Sequence, residues 1–169
     1  MATTFPPAAT PPTPVRVRAA TPADLDALAA LELRAFRGDR MSRAQYRRHL
    51  VSPTAAVLVA DTPDEGLLGS ALVFFRRGST LARLYSIATA PEARGRGIGA
   101  RLLAAAEAVS SGRGCRALRL EVRVDNTAAI GMYERAGYCR IGGYAAYYED
   151  GADAGRYEKT LPRPPRLAL

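Results

Sequence analysis

Apolar residues at helical spacing predict four helices along the chain. The first follows the start signal Thr21-Pro22-Ala23-Asp24, in which a threonine cap precedes a proline at the first helical position. A serine and an asparagine cap precede the second and fourth helices, and glycines follow the third. The predicted helices span about 22–36, 43–52, 98–112 or 98–114, and 127–136.

Alternating or continuous runs of apolar residues predict seven strands. The alternation is strongest at 118–124, where Arg119, Glu121 and Arg123 would share one face and leucine and valine the other. Two further runs flank the turn-rich segment 61–66 and predict an antiparallel hairpin. The predicted strands are 15–20, 55–60, 67–75, 83–89, 118–124, 139–146 and 156–161. Together with the helices they predict a mixed α/β fold with a central sheet and no internal repeat.

Composition divides the chain into one domain and two tails. Residues 1–14 are rich in proline, alanine and threonine without periodicity, which predicts a disordered tail. The domain is expected over 15–162, and the proline-rich end at 163–169 is expected to fray. A chain of 169 residues with 48% apolar and 24% charged residues can bury the core of one globular domain.

The charge and the cysteine content exclude several kinds of site. The net charge is +8, but the arginines are scattered and lack interleaved aromatic residues, which disfavours nucleic acid as the main ligand. No apolar run approaches the ~18 residues of a membrane span and no targeting signal is visible, so we expect a cytoplasmic location without a membrane partner. Two cysteines and one histidine predict neither a disulfide framework nor a metal site.

A glycine-rich segment, Arg94-Gly95-Arg96-Gly97-Ile98-Gly99, precedes the third predicted helix. Glycines let backbone amides approach a ligand closely, and the start of a helix carries partial positive charge, so a phosphate is the expected ligand. The spacing Gly95-x-Gly97-x-x-Ala100 also fits a dinucleotide fingerprint, with Glu121 as the ribose contact. Against this alternative, residues 90–93 separate the glycines from their strand, which is the fourth rather than the first.

The glycines suit two other kinds of segment less well. A P-loop is excluded because no Gly-Lys-Ser/Thr follows them. A glycine turn without any ligand stays open, although three glycines with flanking arginines are costly for a turn alone.

The residues around this segment resemble the GNAT superfamily of acetyl-CoA-dependent N-acetyltransferases. The resemblance spans 84–161, where Tyr85-Ser86-Ile87-Ala88-Thr89 and Pro91 precede a match to the family signature Q/R-x-x-G-x-G/A. The stretch LEVRVDNTAAIGMYERAGY, 120–138, is similar to the bacterial ribosomal-protein alanine N-acetyltransferases. The resemblance implies the GNAT fold, with a mixed, mostly antiparallel central sheet flanked by helices.

The resemblance also implies a binding site for acetyl-CoA, used as a co-substrate without metal. The strand backbone would bind the pantetheine arm as an added strand would, and the loop amides would bind the pyrophosphate. Asn126 would contact the cofactor arm, with a plain helix cap as the alternative. The implied cofactor-binding residues are Ile87, Ala88, Thr89, Arg94, Gly95, Arg96, Gly97, Ile98, Gly99, Ala100 and Asn126.

The reaction of such an enzyme needs a base for the amine and an acid for the departing thiolate. By the resemblance Glu121 is the base and Tyr133 the acid, and the spacing of twelve matches the ribosomal-alanine type without a gap. Because Arg119 and Arg123 share its strand face, we expect them to favour the ionised form of Glu121. The alternatives are an exposed strand carboxylate paired with these arginines and a core tyrosine.

The acceptor implied by the resemblance is the N-terminal α-amine of a protein or peptide. A small amine, an amino acid or a lysine side chain is the alternative, and the absence of tryptophan weakens the case for a ribosomal-protein substrate. Residues 36–40 and 147–150 are expected to frame the amine. A non-catalytic acyl-CoA- or dinucleotide-binding protein stays open as another class, and a homodimer is one alternative for the assembly.

Overall fold

A computed structural model describes residues 13–163 of the chain. The tails predicted at 1–14 and 163–169 therefore lie outside the described residues, apart from 13, 14 and 163. The strands are β1 Arg16–Ala19, β2 Ala55–Thr62, β3 Gly66–Phe75, β4 Leu81–Thr89, β5 Ala117–Arg123, β6 Cys139–Tyr144 and β7 Ala154–Thr160. The helices are α1 Leu25–Ala35, α2 Arg43–Leu50, α3 Ile98–Gly112 and α4 Thr127–Arg135, with turns of 3₁₀ helix at Pro22–Asp24 and Pro91–Ala93. This element order confirms the predicted one.

Local capping explains where the first two helices begin. Thr21 and Asp24 form a capping box, in which the Asp24 carboxylate accepts a hydrogen bond from the Thr21 amide at 2.8 Å. Ser42 forms the same motif at the start of α2, where its hydroxyl accepts from the Gln45 amide at 3.2 Å. The loop between the two helices is held by α1, because the buried Glu32 carboxylate accepts a hydrogen bond from the Met41 amide at 2.8 Å.

The strands form one sheet in the order β1-β2-β3-β4-β5-β7-β6. The neighbouring strands are antiparallel except for β4 and β5, which are parallel and joined through α3. The predicted hairpin is confirmed as β2 and β3. A mostly antiparallel sheet confirms the expected fold class, and it excludes the doubly wound parallel sheet that the dinucleotide alternative required.

The two faces of the sheet are covered to different extents. One face packs against α3 and α4 through a core that includes Leu102, Leu118 and Tyr133. The opposite face packs against α1 and α2 over β2 and β3, where Leu28 and Val59 are fully buried. On this second face β5 presents Arg119, Glu121 and Arg123, which are only half-buried. The helices therefore leave a polar area beside β5 on which a substrate can lie.

Candidate active site

The strands β4 and β5 separate halfway along their length. They are paired from Leu81 and Ala117 to Leu84 and Leu120, and within residues 13–163 their pairing ends there. At the point of separation, Tyr85 is an extra residue in the pairing of β4 with β3, which is a β-bulge. A bulge bends its strand, so the ends of β4 and β5 diverge. The wedge between them opens toward Thr89 and Arg123.

One edge of this wedge carries the predicted strand of the cofactor site. Ile87, Ala88 and Thr89 are paired with β3 on one side, and on the other side they face the wedge without a strand partner. The backbone groups on that side can accept an extended ligand as a further strand would be accepted. The structure therefore brings these three residues to one open edge.

The glycine loop lies where β4 ends. Gly95 and Gly97 have φ angles of 78° and 73°, and Gly97 caps α3 in this left-handed conformation. Within residues 13–163, the amides from Gly95 to Ala100 donate to no turn, loop or cap carbonyl. A Cβ at either glycine would meet open space. Unpartnered amides at the start of a 15-residue helix fit a phosphate group.

Three parts of the site meet at the start of α3. A Cβ added to Gly99 would lie 3.0 Å from Met132 Sδ in α4 and 3.8 Å from Thr89 Oγ1 at the end of β4. Because Gly99 has no side chain, the start of α3 can lie close to both α4 and the end of β4. Ile98 is 1% exposed and belongs to the core, so only its backbone can contribute to a binding site.

The two arginines of the loop differ in their surroundings. Arg96 donates to both oxygens of Glu65 at 2.8 and 3.0 Å, and this pair is partly exposed. Arg94 is exposed, and no side chain of the described residues bonds to it. Arg94 is therefore available to an anion directly, whereas Arg96 must first leave Glu65.

Asn126 is the cap of α4, as the structural alternative predicted. Its Oδ1 accepts a hydrogen bond from the Ala129 amide at 3.2 Å. The side-chain nitrogen keeps its donors, and the residue is exposed beside the wedge end of β5. The cap leaves the predicted contact with a cofactor arm open to it.

Glu121 lies on β5 where the wedge opens, with a side chain that is 11% exposed. Its Oε2 accepts a hydrogen bond from Arg83 Nε at 3.1 Å. The pairing with Arg119 and Arg123 that the structural alternative required is not formed, because Arg119 binds Glu158 at 2.6 Å and Arg123 binds Asp125 and Asp150. No donor within residues 13–163 bonds to Oε1, so this oxygen is available to an amine or a water.

Tyr133 is buried between α4 and the sheet, and it is 7% exposed. Its ring contacts that of Tyr138 edge-on, with the centroids 5.8 Å apart. Burial raises the pKa of the Tyr133 phenol, and the neighbouring Tyr148 raises it further. The phenol therefore keeps its proton at neutral pH and is a weaker acid than an exposed tyrosine.

The second predicted acceptor loop lies beside Glu121. Tyr147, in the loop between β6 and β7, accepts a hydrogen bond at 2.8 Å from Arg83, which also donates to Glu121. Burial, with smaller contributions from charges that include Glu121 and Asp39, raises the pKa of Tyr148 in the same loop to about 12. No hydrogen bond or ion pair of the described residues joins the first predicted loop, 36–40, to Glu121.

A cavity of about 350 Å³ opens beside Glu121. Sequence reasoning missed two of its arginines, Arg83 on β4 and Arg156 on β7. Arg156 stands opposite Glu121 in the pairing of β5 with β7, and Arg83 stands beside Arg119 in that of β4 with β5. Only strand register could have revealed these neighbours. The cavity is lined by Leu81, Arg83, Arg119, Glu121, Tyr144, Tyr147 and Arg156.

Among residues 13–163, no group of three or more histidine, cysteine, aspartate or glutamate side chains is placed to bind a metal ion. No helix in the same range is both long enough and apolar enough to cross a membrane.

The comparison with protein families agrees with this geometry. The model of the acetyltransferase (GNAT) family matches residues 24–138, which include the wedge, the glycine loop and both predicted catalytic residues. The chain belongs to the acetyltransferase (GNAT) family. The resemblance stated from the sequence is thereby confirmed.

Individual relatives show which members of the family this chain is similar to. The chain is 37% identical over 150 residues to the N-alpha-acetyltransferase RimI of Mycobacterium tuberculosis, covering 83% of this chain and 89% of that one. It is 38% identical over 146 residues to an uncharacterised protein of Mycobacterium leprae, and spans only 39% of that protein's length. The crystal structure of the ribosomal-protein-S18-alanine N-acetyltransferase from Escherichia coli has the same fold, with a TM-score of 0.78 and 24% identity, covering 92% of this chain and 99% of that one.

Proposed function

We propose that this protein transfers the acetyl group of acetyl-CoA to the α-amine at the N-terminus of a protein or peptide. The observation that carries the proposal is the position of Glu121, which lies where β4 and β5 diverge, between the glycine loop and the arginine-lined cavity. Acetyl-CoA in the wedge and an amine in the cavity would meet at this carboxylate. The similarity to an N-alpha-acetyltransferase supports the choice of acceptor.

Acetyl-CoA fits the donor side on two independent features. The unpartnered amides of 95–100 suit its pyrophosphate, and the open edge at 87–89 suits the amide groups of its pantetheine arm. Arg94 and the side-chain nitrogen of Asn126 would add contacts at the two sides of the wedge. A cytoplasmic location is part of the proposal, since acetyl-CoA and new protein N-termini occur together there.

The chemistry falls to two side chains. When bound, acetyl-CoA supplies a thioester whose carbonyl carbon is the electrophile. Oε1 of Glu121 would accept the proton of the attacking amine, directly or through a water, while Arg83 holds Oε2. The Tyr133 hydroxyl would donate a proton to the sulfur of the departing thiolate. No covalent intermediate with the protein is needed.

The test is an acceptor panel with acetyl-CoA as the donor. The first acceptor is a peptide with a free N-terminus and no lysine. The second is a variant of this peptide with a blocked N-terminus and one internal lysine. The third is a small diamine. Mass spectrometry should show one added acetyl group on the free N-terminus and none on the other two acceptors. Fragment ions place the acetyl group on the α-amine.

Other outcomes would contradict different parts of the proposal. Acetylation of the lysine peptide or of the diamine alone would make the acceptor class wrong while leaving the enzyme class intact. Failure of every acceptor, in a protein whose melting temperature rises with acetyl-CoA, would favour a non-catalytic acyl-CoA-binding protein.

A further inference from the structure

The arginines that line the cavity beside Glu121 are not equally neutralised. Arg83 donates to Glu121 at 3.1 Å and to the Tyr147 hydroxyl at 2.8 Å. Arg119 donates twice to Glu158, at 2.8 and 2.6 Å. Arg156 forms no hydrogen bond or ion pair with any side chain of the described residues. One positive charge in the cavity therefore lacks an internal partner.

Arg156 is held in place without using its donors. Its Cζ lies 4.8 Å from the centre of the Tyr144 ring, an arrangement that stabilises the cation through the face of the guanidinium. The N–H donors lie in the plane of the group and are not consumed by this contact. Nε is buried, and no atom of residues 13–163 accepts a hydrogen bond from it.

A buried donor without a partner is unfavourable, and the cost is larger for a charged group. The fork of donors in an arginine matches the two oxygens of a carboxylate, and such paired hydrogen bonds are among the strongest in proteins. Arg156 lines the cavity, so a carboxylate there would accept hydrogen bonds from its terminal N–H groups and balance the unpaired charge. The missing partner is therefore best supplied by the acceptor.

The distance between Arg156 and Glu121 limits where that carboxylate can be on the acceptor. The two residues are directly opposite in the pairing of β7 with β5, so their Cβ atoms are about 5 Å apart on one face. An extended peptide advances by about 3.4 Å per residue. An amine at Glu121 therefore places the side chain of the first or second peptide residue near Arg156.

We propose that Arg156 selects acceptors whose first or second residue is aspartate or glutamate. This inference rests on the proposed function and adds a specificity determinant to it. Arg156 binds the acceptor carboxylate while Glu121 receives the proton of the amine, so the contact acts mainly on acceptor binding and lowers KM.

The experiment compares peptides that differ only in charge. In one pair of peptides the first residue is aspartate or asparagine, and in the other pair the second residue is aspartate or asparagine. Free aspartate is included as a small acceptor that carries an α-carboxylate. We expect the aspartate peptide to have a kcat/KM at least about tenfold higher than its asparagine partner at one of the two positions. The difference should lie in KM.

Two variants identify the residue responsible. Arg156→Gln should bring the ratio between the aspartate and asparagine peptides close to one. Arg77→Gln removes the same charge from an exposed turn outside the cavity, and it should keep the ratio of the unchanged protein. Because each ratio compares two peptides on one protein sample, a partly folded variant does not distort it.

Each other result overturns a defined step. Equal rates for both members of each pair in the unchanged protein would refute the inference and leave the proposed function standing. A preference that persists in Arg156→Gln would refute the role of this residue. Free aspartate as a better acceptor than every peptide would assign the carboxylate to a small molecule. No acetylation of any peptide would refute the proposed function itself.

Discussion

At the scale of single residues, the Tyr133 hydroxyl keeps its proton at neutral pH. Burial raises its pKa, and no side chain within residues 13–163 forms a hydrogen bond with it. Replacing Tyr133 by Phe keeps the ring contact with Tyr138 and removes only the hydroxyl. We expect kcat to fall by about a hundredfold or more, with little change in the affinity for acetyl-CoA. Steady-state kinetics and calorimetric titration measure the two quantities.

The neighbouring ring offers the control for that experiment. Tyr138→Phe removes the same atom from a side chain that is also buried, and it should leave kcat within about twofold. If Tyr133→Phe and Tyr138→Phe reduced kcat equally, the hydroxyl of Tyr133 would have no special part in the reaction.

Glu121 shows what residue patterns can and cannot predict. The alternation along β5 correctly placed Glu121 on the polar face of a strand with Arg119 and Arg123. The ion pair that it suggested as the structural alternative is not formed, because side chains two residues apart on a strand have cross-strand neighbours that are often closer. Arg83 comes from β4, 38 positions away in sequence, and only the register of two parallel strands brings it to Glu121.

At the scale of elements, the position of α3 depends on a close approach to β3. A Cβ on Gly69 would lie 2.8 Å from Ile98 Cγ2, 2.9 Å from Leu102 Cδ1 and 2.9 Å from the Ala88 carbonyl oxygen. We expect Gly69→Ala to destabilise the protein by about 1–3 kcal/mol, because backbone atoms must move. Moving the start of α3 should also weaken acetyl-CoA binding. Urea unfolding and titration with acetyl-CoA measure both effects.

Gly112 in α3 provides the comparison for Gly69→Ala. A Cβ on Gly112, the last residue of α3, would meet no atom within 4 Å. Gly112→Ala should leave stability unchanged or raise it slightly, since alanine favours a helix. A loss from Gly69→Ala no larger than that from Gly112→Ala would show that the β3–α3 contact relaxes easily.

The elements themselves were predictable because their signals are local. The capping box at Ser42, the turn residues of 61–66 and the alternation along β5 each act over a few neighbouring residues. The wedge was not predictable from the residues alone, because it depends on one extra residue, Tyr85, in the pairing of β4 with β3. The resemblance to a known family assigned the strand residues 87–89 to the pantetheine arm, which the local patterns did not.

At the scale of the whole molecule, an ion-pair network joins three elements: the strand β1, the 3₁₀ turn before α1, and the strand β2. Arg18 on β1 donates to Asp24 at 2.8 and 2.9 Å and to Asp61 on β2 at 2.7 Å. Arg16 donates to the same Asp61 at 3.1 Å. Asp24 and Asp61 are both buried, so these contacts are little screened by solvent. The network stabilises the packing of β1 and the turn before α1 against β2.

The hydrogen bonds from Arg18 lower the pKa of Asp24 to about 2. A carboxylate whose pKa is lower in the folded state than the unfolded value of about 3.9 stabilises the fold above that value. The stabilisation is lost as the pH falls toward 2. Asp24→Asn should therefore reduce the free energy of unfolding by about 2 kcal/mol at neutral pH. The difference from the unchanged protein should shrink between about pH 5 and pH 2.

The matched control for this prediction is Asp26→Asn, two residues further along in the first turn of α1. The Asp26 side chain is 84% exposed in its pair with Arg43, so its removal should change stability by less than about 0.5 kcal/mol at any pH. Urea unfolding of the three proteins at several pH values gives the comparison. A deficit of Asp24→Asn that stayed constant down to about pH 3 would mean that its neutral contacts, such as the bond from the Thr21 amide, dominate. A deficit that closes with acid assigns the stability of this edge of the fold to the charge on Asp24.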